Sequence, residues 1–292
     1  MTMLLERTNH RTLPPDYAGD VFVWDIDKTY LETRFSSVRG LLGIVAEAAL
    51  DKRAVPGAVA LIRALRRGPG AEPLLAPLYF VSGSPPQLRG ILERKMLLDG
   101  VQHDGITFKD QFGYLRALRP KAIREQVGYK TCALLLYRRD IPGPSRWWLF
   151  GDDVESDAAV FTLFGEICAG LRGDALRQRM LTMGAQAPEV DEALRIADRL
   201  PQTPDPVARV FIRLERGRDP LAFGHPKVCP VHGFLQAALV LAQEGRIRPA
   251  DVTTVAESLR AAYVPEAVVT QQAEDAVKRL GVDAALLERV RR

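Results

Sequence analysis

Hydrophobic positions along the 292-residue chain fall into two recurring patterns. Short continuous apolar runs occupy 21–24, 78–81 and 147–150. Each ends at once in small or acidic polar residues: Asp25-Ile26-Asp27-Lys28-Thr29, Ser82-Gly83-Ser84-Pro85 and Gly151-Asp152-Asp153. Runs of this length, unbroken by polar positions, predict strands buried on both faces. Between them, apolar residues recur at helical spacing over 36–67, with a break at Val55-Pro56-Gly57, then over 87–98 and around 130–139. Strands alternating with helices predict an α/β protein with a doubly wound parallel sheet, in which ligands bind beyond the carboxyl ends of the strands.

The second half of the chain is patterned differently. Residues 166–169 read as a short strand, 174–200 as helix, and 207–214 alternate well enough for an edge strand of the same sheet. The segments 234–242, 251–263 and 266–279 are helical in period, with Asp251 placed to cap its helix. These boundaries divide the chain into a core over 1–220 and a C-terminal helical region over 221–292. Within the core, a small helical cap is expected at 34–68 and a helical insertion at 171–204.

Composition adds mainly exclusions. No apolar stretch approaches the roughly 20 residues of a membrane-spanning helix, and the opening MTMLLERTNH lacks a signal peptide's apolar run. Cys132, Cys168 and Cys229 form no CxxC pair, which predicts reduced thiols and a cytoplasmic location. His225, Cys229 and His232 lie within eight residues, but a fourth zinc ligand is missing and Pro226 and Pro230 mark a turn, so the reading there is structural. The net charge is +4, and Arg outnumbers Lys by 32 to 8. Charges of both signs are interspersed, so no nucleic-acid partner is expected.

The chemistry sits at the strand ends. Asp25 and Asp27, one residue apart where the chain leaves the sheet, repel each other unless a cation or shared proton offsets their charge. Hard carboxylate ligands suit Mg²⁺, which characteristically binds one or two carboxylates together with a substrate phosphate. Phosphoryl transfer needs a nucleophile, an acid for the leaving oxygen and donors around the equatorial oxygens. Asp25 can supply the first and Asp27 the second. The Ser82 hydroxyl and Gly83 N–H can hold phosphate oxygens, a Lys can neutralise developing charge, and Asp152 and Asp157 can complete a metal shell.

Taken in order, Asp25-Ile-Asp27-Lys-Thr29, Ser82 after a strand, a Lys on a helix, and Gly151-Asp152-Asp153 with Asp157 resemble the four motifs of the haloacid dehalogenase superfamily of phosphatases. Val55-Pro-Gly57, Val81-Ser-Gly-Ser-Pro-Pro-Gln-Leu88 and Gly151-Asp-Asp-Val-Glu-Ser-Asp157 are similar to the phosphatidate phosphatase App1 catalytic-domain family. The resemblance spans about 20–170. It implies a Mg²⁺-dependent phosphomonoester phosphatase on a Rossmann-like sheet, working through an aspartyl-phosphate. Asp25 is then the nucleophile, Asp27 the acid and base, Lys130 the third-motif cation, and Thr29, Ser82 and Gly83 the substrate-binding residues. The metal ligands are Asp25, Asp27, Asp152 and Asp157. Lys109 and Lys121 are alternatives to Lys130, and Asp153 and Glu155 read either as solvated loop acids or as further metal ligands. Two positions depart from the family: Lys28, where an Asp or Gly is usual, and Pro86, where a Trp is usual. The implied partner is a phosphorylated small molecule or a phospholipid, with peripheral membrane contact in the second case. A non-catalytic phosphate-headgroup binder and a soluble sugar or nucleotide phosphatase are the competing readings.

Overall fold

The computed structural model describes residues 5–32, 53–110 and 126–291. Seven strands form one sheet: β1 (Leu5–Arg7), β2 (Asp20–Asp25), β3 (Leu78–Ser82), β4 (Gly105–Lys109), β5 (Arg146–Asp152), β6 (Val207–Arg213) and β7 (Val228–Val231). Their order is β1-β4-β3-β2-β5-β6-β7, and only β1 runs antiparallel to its neighbour. The described residues also form ten α-helices: α1 (Ala58–Arg67), α2 (Arg89–Leu98), α3 (Val127–Asp140), α4 (Asp157–Cys168), α5 (Gly173–Thr182), α6 (Ala187–Ala197), α7 (Phe234–Gln243), α8 (Pro249–Ala261), α9 (Glu266–Leu280) and α10 (Ala284–Arg291).

Strand periodicity sorts the core into two layers. Phe22, Trp24, Phe80, Trp148, Phe150 and Phe211 face one side, where they share an apolar cluster with residues of α1, α2 and α7 to α10. Trp24 stacks on Phe150 at 4.1 Å, and Phe150 stacks on Phe211 at 5.0 Å. Val21, Val23, Tyr79, Val81, Trp147 and Leu149 face the other side, against α3 to α6. The adjacent tryptophans thus point to opposite faces, with the Trp147 ring 5.0 Å from Phe164 of α4. Both faces are covered, which explains why the central strands read as unbroken apolar runs.

Parallel strands leave the central β2 in two directions, toward β3 and β4 on one side and toward β5, β6 and β7 on the other. The reversal of strand order opens a crevice between the carboxyl ends of β2 and β5, where open α/β sheets bind ligands. Asp25 closes β2 and Asp152 closes β5, so the fold brings both acids to that crevice.

Several expected elements differ. Residues 166–169 are not a strand but the end of α4, because Ile167 and Cys168 continue, at helical spacing from Phe164, the face buried against the second cluster. The helix expected over 174–200 is two, α5 and α6, parted at Gly184. Strand β6 is not an edge, since β7 pairs with it in parallel beyond Pro220. Asp251 sits in the first turn of α8 rather than ahead of it, and its carboxylate accepts the Arg248 N–H at 2.9 Å. Helix α1 begins after the Val55-Pro56-Gly57 break as expected. Most of the cap expected at 34–68, residues 33–52, lies outside the described residues, as does Lys121.

Gly57 starts α1 at φ +85°, and a Cβ there would meet Leu259 Cδ1 at 2.8 Å and Phe234 Cβ at 3.2 Å. Gly281 follows α9 at φ +69° with nothing within 4 Å of such an atom. Both substitutions to Ala incur left-handed strain of about 1–2 kcal/mol, and only the first adds overpacking of about 1–3 kcal/mol. Chemical denaturation should therefore find Gly57→Ala clearly more destabilising than Gly281→Ala. Equal losses would contradict the packing of α1 on α7 and α8.

Candidate functional site

Alternation along β2 turns Asp25 to the face of Val21 and Val23, the side covered by α3. Lys130 lies in the first turn of α3, and its ammonium reaches that same strand end. Lys130 Nζ is 2.8 Å from Asp25 Oδ1 and 2.6 Å from Glu155 Oε2, and it also donates to Asp157 Oδ1. Asp25, Lys130, Asp152 and Asp157 are almost fully buried.

The loop after β5 folds back on itself to hold these acids. Asp152 Oδ1 accepts the N–H groups of Val154 and Glu155, at 2.5 and 3.1 Å, while the Asp152 N–H donates to Asp157 Oδ2 at 3.1 Å. The close approach of Asp157 depends on Gly151, where a Cβ would lie 2.5 Å from that of Asp157. Glu155 is fixed from a second side by Gln126 Nε2 at 2.6 Å.

Asp25, Asp152, Glu155 and Asp157 each offer an oxygen, all within 4.8 Å of one another, so this group could hold a metal ion. Asp25 Oδ2 and Asp152 Oδ2 are buried and have no hydrogen-bond partner. A buried carboxylate oxygen without a donor is costly, and a cation between the two would satisfy both. Burial, reinforced by Asp157 and Glu155, outweighs Lys130 and raises the Asp25 carboxyl well above the usual range. Burial and the neighbouring Asp157 push Asp152 up to about 7, and burial likewise raises Asp157. Burial opposes the Lys130 ammonium, but Asp157, Asp25 and Glu155 prevail and raise its pKa well above the ordinary lysine value. Four carboxyl groups thus face one permanent cation, an excess of negative charge that protons or a divalent ion can offset.

Asp27 stands outside that group of four. Its Oδ2 accepts from the Ser82 and Ser84 hydroxyls, each at 3.3 Å, and Ser82 Oγ in turn accepts the Ser84 N–H at 3.1 Å. Strand β3 therefore brings Ser82 to the Asp27 loop, with Gly83 between the two serines. Tyr129 of α3 ties this corner together by donating to the Ser82 carbonyl at 2.6 Å and the Thr107 carbonyl at 2.9 Å. Thr29 is fully buried, and its hydroxyl has no hydrogen-bond partner. Lys28 takes the left-handed conformation at φ +64°, and its carbonyl accepts from Arg213 at 2.6 Å.

Of the candidate lysines, Lys130 carries the ammonium among the acids. Lys109 is buried at the end of β4, with its Nζ 5.8 Å from the centre of the Tyr129 ring. Asp153 is turned away from the cluster and accepts the Arg216 and Arg218 N–H groups at 2.8 and 3.4 Å, which shapes the loop after β6. Gln126 and Tyr129 join the site without a sequence signal, whereas of the two loop acids able to bind metal, Asp153 and Glu155, it is Glu155 that joins the cluster. The signal for Glu155 was its place three residues after Asp152, where a bend returns it to the cluster. Cys229 is buried whereas His225 and His232 are exposed, and the three form no metal-holding group among the described residues.

Comparison with known proteins yields no match, whether among sequence families, curated proteins or solved structures. No helix among the described residues is long and apolar enough to cross a membrane.

The charge imbalance has a signed pH dependence. With their pKa values raised by folding, Asp25, Asp152 and Asp157 hold protons that the unfolded chain has released above about pH 4. Their contribution to stability therefore falls as pH rises above about 4, and for Asp152 the penalty is fully present above about 7. A divalent cation offsets that penalty. Thermal unfolding should show Mg²⁺ raising Tm by more at pH 8 than at pH 5.5. An increment independent of pH, or none at either pH, would contradict the site.

Proposed function

We propose that the chain is a phosphomonoester hydrolase of the haloacid dehalogenase type, using Mg²⁺ and an aspartyl-phosphate intermediate. The observation that carries this reading is Asp25: a buried carboxylate at the crevice between β2 and β5, with one oxygen against Lys130 and the other without a partner. The residues beside it fit the same chemistry. Asp25 and Asp152 would hold Mg²⁺, and the bound ion supplies positive charge that offsets the phosphoryl oxygens and keeps the carboxylates ionised.

In the first half-reaction an Asp25 oxygen forms a bond to phosphorus as the ester P–O bond breaks, and Asp27 delivers its proton to the departing alkoxide. In the second, Asp27 takes a proton from water as the water oxygen bonds to phosphorus. The acyl-phosphate P–O bond then breaks, which frees inorganic phosphate and restores Asp25. The Ser82 and Ser84 hydroxyls hold Asp27 in place between these proton transfers, and the Lys130 charge opposes the build-up of negative charge at Asp25. The Thr29 hydroxyl, which has no hydrogen-bond partner, would donate to a phosphate oxygen, and Ser82 and Gly83 would do so on exchanging their present partners.

The resemblance of 81–88 and 151–157 to the phosphatidate phosphatase family makes phosphatidate-like lipids the substrate class to test first, beside soluble sugar and nucleotide phosphates.

Hydrolysis of p-nitrophenyl phosphate should require Mg²⁺. It should be abolished in Asp25→Asn and fall by roughly 10²–10⁴ in Asp27→Asn, the range of a lost general acid and base. Both variants should unfold at close to the wild-type temperature. Full turnover by Asp25→Asn would refute the nucleophile. Phosphate binding without any hydrolysis by the wild-type protein would favour the non-catalytic headgroup binder.

A further inference from the structure

A groove of about 580 Å³ lies between α1 and α8, bounded by the loops that lead into β3 and β4. Those loops meet the amino ends of their strands, so this part of the groove lies at the end of the sheet away from Asp25. Its wall is apolar where Val59, Ile62, Leu75 and Val101 meet. Its charged lining is dominated by arginine: Arg63, Arg66, Arg67 and Arg248, against Asp251.

The state of each guanidinium differs. Arg248 is paired with Asp251. Arg66 donates to Asp104 and to the Ala76 carbonyl, yet its buried Nε has no hydrogen-bond partner. Arg67 donates to the carbonyls of Gly68, Gly70 and Ala71 and has no carboxylate partner among the described residues. Arg63 is exposed and makes no ion pair or hydrogen bond among the described residues. Arg11 adds a fifth positive charge at the edge, where it donates to the Leu75 carbonyl and shares Asp104 with Arg66. Among the described residues, five guanidinium groups are thus met by two carboxylates, Asp104 and Asp251, and Glu72, on the adjoining loop, does not line the groove.

The rim is shaped as well as charged. Leu75 takes the left-handed conformation at φ +49° and remains 50% exposed, next to Leu74 at 59%. Left-handed backbone at a leucine costs energy, and strain of this kind collects at binding surfaces. Apolar surface exposed at Leu75 and partly at Val59, beside Arg63 and Arg67 that no described carboxylate offsets, matches a ligand with an apolar body and an anionic head. The groove's size falls within the range of about 300–1,000 Å³ typical of small-molecule sites.

We propose that this groove is a second binding site, separate from the carboxylate cluster, for a monomeric amphipathic anion. The alkyl body would lie along the exposed Leu75 and the half-buried Val59, which cover the buried Ile62 and Val101, and the oxyanion head would be received by Arg63 and Arg67. The guanidinium fork favours carboxylate, sulfonate or phosphate oxygens over halide-like point charges.

Decanesulfonate, used below its micellar concentration, is a suitable probe because it carries no phosphoester for the other site to act on. Isothermal titration against the full chain should show saturable binding. Arg63→Glu should weaken it at least tenfold, as should Thr254→Phe, which places a ring in the groove from an exposed position of α8. Asp25→Asn should bind as the wild type does, and decyltrimethylammonium should not bind. Hydrolysis of p-nitrophenyl phosphate should be unchanged in Arg63→Glu, so failure of this proposal and failure of the hydrolase reading are distinguishable. Undiminished binding by both groove variants, or loss of binding in Asp25→Asn, would overturn the assignment. So would sedimentation with anionic phosphatidylglycerol vesicles in the absence of any monomer binding, which would instead mark a membrane-docking face.

Discussion

The Lys130 ammonium, buried against Asp25, Glu155 and Asp157, is the interaction on which the arrangement of the site depends. Removing a charge from water is expensive, and one ammonium cannot balance the four carboxyl groups gathered here. Three separate stretches of chain converge on this one ion: the end of β2, the start of α3 and the turn between β5 and α4. Each brings a group that would be costly to bury alone. The residual negative charge is therefore a built-in property of the fold, and it suits a site that receives a cation and the anion which that cation attracts.

Sheet geometry makes the convergence possible. Asp25 shares a face with Val21 and Val23 because side chains alternate along a strand, and that face is the one α3 covers. The reversal of strand order between β2 and β5 separates the crossover helices and leaves the crevice open above both strand ends. The hydrogen-bonded ladder sets the spacing of β2 and β5 and so the distance between the Asp25 and Asp152 loops, and on the opposite face the rings of Trp24, Phe150 and Phe211 stack across it. Arg213, from the end of β6, braces the Lys28 carbonyl and so holds the turn that carries Asp27. The aromatic layer and the carboxylate layer are thus two consequences of one alternating pattern.

Much of this frame was readable from the chain. The strands β2, β3 and β5 announce themselves because burial on both faces demands unbroken apolar runs, and the acids that end β2 and β5 stand where such sheets bind ligands. Other elements left weaker marks. Strand β4, Gly105–Lys109, mixes Gly, Thr and Lys with only two large apolar residues, so its pattern does not rise above its surroundings. Strand β7 contains Pro230, which reads as a turn and is tolerated there because the strand is at the sheet edge. Residues 166–169 looked extended because they are a short run between Gly165 and Gly170, whereas their burial follows the helical stripe of α4. At the site, periodicity cannot report how a loop folds back. Glu155 reads equally as a solvated acid or a ligand, and Asp27, expected among the metal ligands, lies against Ser82 and Ser84 outside the group of four.

The central claim is that the excess carboxylate charge at the crevice accepts a divalent ion between Asp25 and Asp152. Anomalous diffraction from crystals soaked in Mn²⁺ locates such an ion directly. The account predicts one strong peak bonded to oxygens of Asp25 and Asp152, lost in Asp152→Asn crystals that otherwise superpose on the wild type. No peak at the cluster, with Mn²⁺ bound only to surface acids, would contradict it.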